Sequence, residues 1–137
     1  MTEIPYQQLT YSDVEAPVLE IKLSDPLGIN STMANAIIDT GFDAELIIPI
    51  GIYQTLQLQQ FELSKDQFSI AETASGEQLQ LVSAYGIVEI PSIDLELDVL
   101  IDAHVKCQEI LIGRKFLQEF NLSLFGKKST FTINLSD

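Results

Sequence analysis

The stretch Ala36-Ile37-Ile38-Asp39-Thr40-Gly41-Phe42-Asp43-Ala44-Glu45-Leu46-Ile47-Ile48-Pro49 decides how the rest of the chain is read. An apolar strand runs directly into an aspartate, a small hydroxyl residue and a glycine, and a second apolar strand follows. Burying a carboxylate at a strand end is costly unless it is hydrogen-bonded or paired. Glycine permits a tight turn and the close approach of another group. The Thr40 hydroxyl can bond to backbone and stiffen that turn. A loop of this kind presents an acid rigidly in a desolvated place. Taken alone, it equally describes a plain turn closed by an Asx-type bond.

Alternation dominates the remaining sequence. Leu19, Ile21 and Leu23 face one way and Glu20 and Lys22 the other. Leu95, Leu97, Val99 and Ile101 alternate with Glu96, Asp98 and Leu100, and Phe131, Ile133 and Leu135 with Thr132 and Asn134. Such period-two runs are half-buried strands. Turn signals separate them at Asp25-Pro26-Leu27-Gly28, Ala74-Ser75-Gly76 and Phe125-Gly126-Lys127-Lys128. Helical signal is local. Pro49 suits the opening of a short turn of helix through Ile52, Tyr53 and Leu56, and Arg114 to Phe120 is the better helix candidate. Mostly short strands with one or two short helices predict a mainly β, closed, barrel-like domain. Residues 1–13 read as an arm or edge strand, and 14–137 as a single domain.

A second segment, Glu109-Ile110-Leu111-Ile112-Gly113-Arg114-Lys115-Phe116-Leu117, is an apolar strand that ends in glycine and enters a short helix. In this order and spacing, the two segments resemble those of the retroviral proteases and their single-domain cellular relatives, the retropepsin-like aspartic proteases of clan AA. Those proteins carry an apolar-apolar-Asp-Thr-Gly loop, a hairpin, and an apolar-Gly-Arg segment leading into one helix. The resemblance spans roughly residues 15 to 135, although only the two motifs are specific. Phe42 replaces the Ala or Ser usual in the viral enzymes and is similar to a prokaryotic branch in which Asp-Thr-Gly-Phe is typical. The implied fold is the closed retropepsin barrel with one short C-terminal helix.

The resemblance also implies roles. Asp39 matches the catalytic aspartate, Thr40 the residue whose hydroxyl locks two active-site loops across a dimer, and Gly41 the residue whose backbone approaches substrate. Phe42 and Asp43 fall at the substrate-facing part of the loop. Asp43 also matches an acid that pairs with the arginine after the second-segment glycine, here Arg114 after Gly113. A bidentate pair bracing the loop is expected, against the plainer possibility of two solvated charges. Phe68 to Ile90 reads as a hairpin, and the resemblance makes it the flap that closes over substrate. Its tip, near Ala74, Ser75 and Gly76, is then a candidate substrate contact. On sequence alone an ordinary hairpin reads the same.

The chain holds one Asp-Thr-Gly and no second Asp-(Thr/Ser)-Gly, which excludes a bilobed arrangement with both motifs in one chain. The chemistry implied needs two carboxylates sharing a proton, so a homodimer with its two-fold axis between the Asp39 side chains is expected. The ionised carboxylate takes a proton from water and the protonated one donates to the scissile carbonyl. Neither cofactor nor metal is required. Thr130 to Leu135 and the stretch before Val14 are expected at the interface, as sheet edges that would otherwise stay open.

Bulk properties narrow the alternatives. The chain has 137 residues, 46% of them apolar, with 20 acidic against 7 basic residues and a net charge of −13. One domain with a real core is expected. Nucleic acid and anionic membrane surfaces are poor partners for such a charge; a peptide or protein substrate remains. The amino terminus lacks a signal-peptide pattern, no apolar run is long enough to span a bilayer, and the single Cys107 cannot form an internal disulfide. A soluble cytoplasmic protein is therefore expected. His104 and Cys107 are too few for a typical zinc site and badly spaced for a nucleophilic pair. Asp94, Glu96 and Asp98 form a solvated strand face. Two other readings stand beside the endopeptidase: a catalytically weak or inactive peptide-binding module of the same fold, for which the Phe42 ring beside Asp39 is the argument, and a structural β domain.

Overall fold

In the computed structural model, which describes residues 2–10 and 12–136, the alternating runs become strands. The amino-terminal segment carries β1 (Ile4–Pro5), β2 (Gln7–Gln8) and β3 (Glu15–Ala16). There follow β4 (Val18–Ser24), β5 (Ser31–Ile38), β6 (Leu46–Pro49) and helix α1 (Ile50–Thr55). A hairpin is formed by β7 (Ile70–Glu72) and β8 (Gln78–Gln80), and the chain continues through β9 (Val82–Ile90) and β10 (Leu95–His104). The last part holds β11 (Ile110–Ile112), helix α2 (Arg114–Leu117), β12 (Asn121–Phe125) and β13 (Thr130–Asn134). No helix among the described residues is long and apolar enough to cross a membrane.

Six strands close into a barrel in the order β10-β6-β11-β5-β4-β9. Closure leaves these strands without a long open edge. The alternation explains which side faces in. Leu19, Ile21 and Leu23 are buried while Glu20 and Lys22 between them are exposed. Val88 and Ile90 of β9, Val99 and Ile101 of β10, and Ile110 and Ile112 of β11 complete the interior. Each such side chain, fully buried, contributes about 1.5–3 kcal/mol. The Pro49 signal becomes α1, which buries Tyr53 on the barrel. There the Tyr53 hydroxyl donates to Glu62 at 2.8 Å. Burial, aided by the Glu62 charge, pushes the Tyr53 phenol well up. The second helix candidate is shorter than its apolar spacing predicts, because α2 ends at Leu117. Phe120 nonetheless packs edge-on to Phe116, with ring centroids 6.0 Å apart.

A second, three-stranded sheet has the order β1-β13-β12. The expectation of an open edge at Thr130 to Leu135 is corrected here. β13 lies between its hairpin partner β12 and β1, which pairs with Phe131 and Thr130. The turn closing the hairpin is held by Lys128 N–H to Phe125 O and Ser129 N–H to Gly126 O. Among the described residues, β1 and β12 are the sheet's outer strands, so the stretch before Val14 does hold an open edge, and on β12 Leu124 and Phe125 are 45% and 37% exposed.

The turn between β4 and β5 is organised by one side chain. Asp25 is 1% exposed. Its Oδ1 accepts from Leu27 N at 2.8 Å and Ile29 N at 3.2 Å. Its Oδ2 accepts from Asn30 N at 2.7 Å and Asn30 Nδ2 at 3.1 Å. Burial opposes ionisation, but these donors outweigh it and hold the Asp25 carboxyl below the usual range. A depressed folded-state pKa stabilises the fold above the ordinary carboxylate pKa, and that contribution is lost as pH falls through the folded value. Asp25→Asn leaves one oxygen to serve donors now shared between two. It is expected to lower Tm at pH 7, with the gap to the parent narrowing as pH is taken below about 4. Thermal unfolding across that pH series checks it, and a gap independent of pH would assign the effect to shape rather than charge.

Candidate active site

Asp39 sits where β5 leaves the barrel. The parallel pairing of β5 with β11 runs through Ile38 and Ile112, and Asp39 N–H extends it with a bond to Ile112 O at 2.9 Å. The chain then turns. Gly41 N–H donates to Asp39 Oδ1 at 2.9 Å, and Phe42 N–H donates to Asp39 O at 3.2 Å. The Asx-type turn and the presented acid are thus the same structure. Asp39 is half-buried, and Thr40 and Gly41 are exposed. Within the described residues, the Thr40 hydroxyl and Asp39 Oδ2 form no hydrogen bond.

The loop is locked from below by backbone. Gly113 N–H donates to Glu45 O at 2.9 Å, and Arg114 N–H donates to Phe42 O at 2.7 Å. A Cβ at Gly113 would lie 2.0 Å from Ala44 O, 2.8 Å from Phe42 O and 2.7 Å from Phe42 Cδ2. No side chain fits there, so the loop closes directly over the glycine. The Phe42 ring is therefore turned onto Gly113. The expected brace between Asp43 and Arg114 forms, but differently. It is one contact, from Nη2 to Oδ1, with both side chains largely exposed. An ion pair in that setting contributes about 0–1 kcal/mol, so the backbone bonds carry the rigidity.

The hairpin tip is held by Thr73 N–H to Glu77 O and Gly76 N–H to Thr73 O, both 2.9 Å. Gly76 has φ +87°, a conformation that favours glycine. Beside it, Glu77 pairs with Lys106 in the turn after β10. The hydrogen bond from Lys106 and its charge hold the Glu77 carboxyl below the usual range. Ala74, Ser75 and Gly76 are exposed at this tip.

A cleft of about 260 Å³ opens between the Asp39 loop and the base of the hairpin. The loop supplies Gly41 through Ala44, and the hairpin supplies Ser69 through Glu72 and Leu81. Of the residues anticipated from sequence, the structure brings Gly41, Phe42 and Asp43 to this cleft; Asp39 and Thr40, just before them on the loop, do not line it, nor do Ala74, Ser75, Gly76, Gly113 and Arg114. It also adds Asp102, which the alternation did not single out. Asp102 is 1% exposed, and its Oδ1 accepts from Ser83 Oγ at 2.6 Å. Ser83 Oγ in turn accepts from Ser69 N–H at 3.2 Å. Burial pushes the Asp102 carboxyl up against the hydrogen bonds from Ser83 and Ser69, and the Glu45 charge adds to the rise. Glu45, also missed, ties the loop to the barrel by accepting Leu100 N–H.

His104 and Cys107 form no nucleophilic pair. His104 Nδ1 accepts Lys106 N–H at 3.1 Å. The Cys107 thiol, raised by burial, donates to Glu109 O at 2.9 Å. The Gly113 contacts carry a direct expectation. Gly113→Ala should displace the 42–45 loop and cost about 1–3 kcal/mol, the range for forcing atoms into a packed site. Denaturant unfolding measures it, and Arg114→Ala, which removes only the exposed pair, should cost less.

No protein-family model matches the chain. An uncharacterized protein of Archaeoglobus fulgidus is 34% identical over 123 residues, covering 86% of this chain and 93% of that protein. Among solved structures, the EIAV protease in complex with the inhibitor HBY-793 aligns with a TM-score of 0.53 and 19% identity, over 80% of this chain and 92% of that one. A retropepsin-like aspartic protease from Rickettsia conorii aligns with a TM-score of 0.52 and 14% identity, over 87% and 93%. The chain therefore has the retropepsin-like fold and belongs to the same family as the Archaeoglobus fulgidus protein.

Proposed function

We propose that this chain is an aspartic-type endopeptidase, a hydrolase of the prokaryotic Asp-Thr-Gly-Phe branch, that works as a homodimer. One observation carries the reading. Asp39 is presented half-exposed at the end of a barrel strand on a loop locked by Gly113, with its Oδ2 and the adjacent Thr40 hydroxyl unengaged among the described residues. A second copy brought across a two-fold axis supplies the other carboxylate and a partner for Thr40.

In that dimer the two Asp39 carboxylates share one proton, because like charges at close range cannot both ionise. The ionised group takes a proton from water as the water oxygen attacks the scissile carbonyl carbon. The protonated group donates to the carbonyl oxygen as it becomes tetrahedral. The β7–β8 hairpin acts as a flap that covers the extended peptide and limits water access. Phe42, the basis for a peptide-binding module without cleavage, has its ring against Gly113, and the adjoining cleft remains open. The single Cys107 accords with a reducing cytoplasmic setting.

Asp39→Asn is expected to reduce peptide cleavage by at least about a hundredfold, the scale of a lost acid–base group, while the variant stays folded and dimeric. A pure binding module would show no cleavage in the parent and unchanged peptide affinity in the variant. Each chain carries −13, and salt screens charges beyond about 8 Å at physiological strength. Specific activity should therefore rise with chain concentration and with moderate salt, in step with dimer measured by sedimentation. Full activity in a monomer would overturn the reading.

A further inference from the structure

Asp102 occupies an unusual position for an acid. On β10 it shares a phase with Glu96 and Asp98, which point outward and are exposed, yet Asp102 is 1% exposed. The hairpin base covers it, and it lines the cleft between Gly41–Ala44 and Ser69–Glu72. Its hydrogen-bond partner is the uncharged Ser83, at 2.6 Å, whose hydroxyl in turn accepts from Ser69 N–H. Among the described residues no cation pairs with it. Arg114 is engaged by Asp43, Lys106 by Glu77 and Lys128 by Glu3. No Lys, Arg or His lines the cleft, whereas Asp43 and Glu72 add two further acids at its edge. A buried carboxylate without a countercharge is unfavourable, and a cation brought to it relieves that cost.

We propose that Asp102 is a specificity-determining residue that selects a lysine or arginine side chain of the substrate at a position close to the scissile bond. The inference rests on the endopeptidase reading for its placement beside the reacting bond. The cleft is chemically divided in the way such a side chain is. Phe42, Ala44, Ile70, Ala71 and Leu81 form apolar walls for the methylene stem, and the carboxylate takes the charged head. Its volume of about 260 Å³ accepts one long side chain. Burial now holds the Asp102 carboxyl up, and a bound ammonium or guanidinium would favour its ionised form. The chain's surplus of acids draws basic peptide segments toward the cleft.

The test maps cleavage of a proteome-derived peptide mixture by mass spectrometry, then compares kcat/KM for peptides differing only as Lys, Leu or Gln at the mapped position. The expected result is enrichment of Lys and Arg at one position near the cut. In Asp102→Asn, which keeps the side-chain shape, the Lys-to-Leu ratio of kcat/KM should fall by roughly tenfold or more, since a site built for a polar partner discriminates strongly. Absence of any basic preference, a preference for Gln over Lys, or an unmoved ratio overturns the proposal. If Asp102→Asn does not fold, Glu72→Gln on the exposed hairpin must lower the same ratio, and no change there overturns it. If the parent cleaves nothing, the endopeptidase reading fails on its own. The subsite is then judged by binding of fluorescein-labelled octapeptides with a central Lys or Leu. Tighter binding of the Lys peptide, lost in Asp102→Asn, supports it, and equal affinities sink it.

Discussion

The carbonyl oxygens of Ala44 and Phe42 occupy the space where any side chain at position 113 would begin. From that contact the Gly113 and Arg114 amides reach Glu45 and Phe42, and the Asp39 amide reaches Ile112. β5, β6 and β11 are thereby joined at the point where the barrel gives way to the loop. The loop's shape is thus set by backbone in close contact, which cannot relax as an exposed ion pair can. Asp43 and Arg114 sit on the same lock, but from the solvent side.

Two buried aspartates show how the same residue type serves different ends. Asp25 is surrounded by four donors, three of them backbone amides, and stays ionised more readily than a free carboxylate. Asp102 has serine hydroxyls and a nearby like charge, and ionises less readily. The linkage signs follow. Asp25 adds stability above the ordinary carboxylate pKa. Asp102, with a raised folded-state pKa, favours the fold below that pKa and loses this contribution as pH rises through its folded value. A structural acid is satisfied within the chain, whereas Asp102 is left in want of a countercharge beside an open cleft.

The charge balance bears on the proposed homodimer as well. Two chains of −13 would repel, so contact between them would have to come from short-range apolar and backbone interactions. The open side of β12, with Leu124 and Phe125 exposed, offers both. The Asp39 loop offers a hydroxyl and a carboxylate oxygen without partners among the described residues. These features lie on separate parts of the chain, one at the C-terminal sheet and one at the barrel end.

Local sequence was sufficient for everything that depends on neighbours along the chain. Period-two alternation placed β4, β10 and β13, the Asp25 and Gly76 turns followed from residue type, and the run through Asp39 to Gly41 marked an acid on a tight turn. Order and spacing of the two motifs then carried the barrel. What sequence left undecided depends on contacts between distant segments. The helix at 114 stops after one turn, and β13 is enclosed by β1 from the far end of the chain. Phe42, beside Asp39 in sequence, turns toward Gly113 in space. Asp102 is the clearest case. Periodicity gives it the same outward phase as Glu96 and Asp98, and only the hairpin folding over β10 removes it from water. Burial is set by what arrives from elsewhere in the chain, and alternation along one strand carries no record of that.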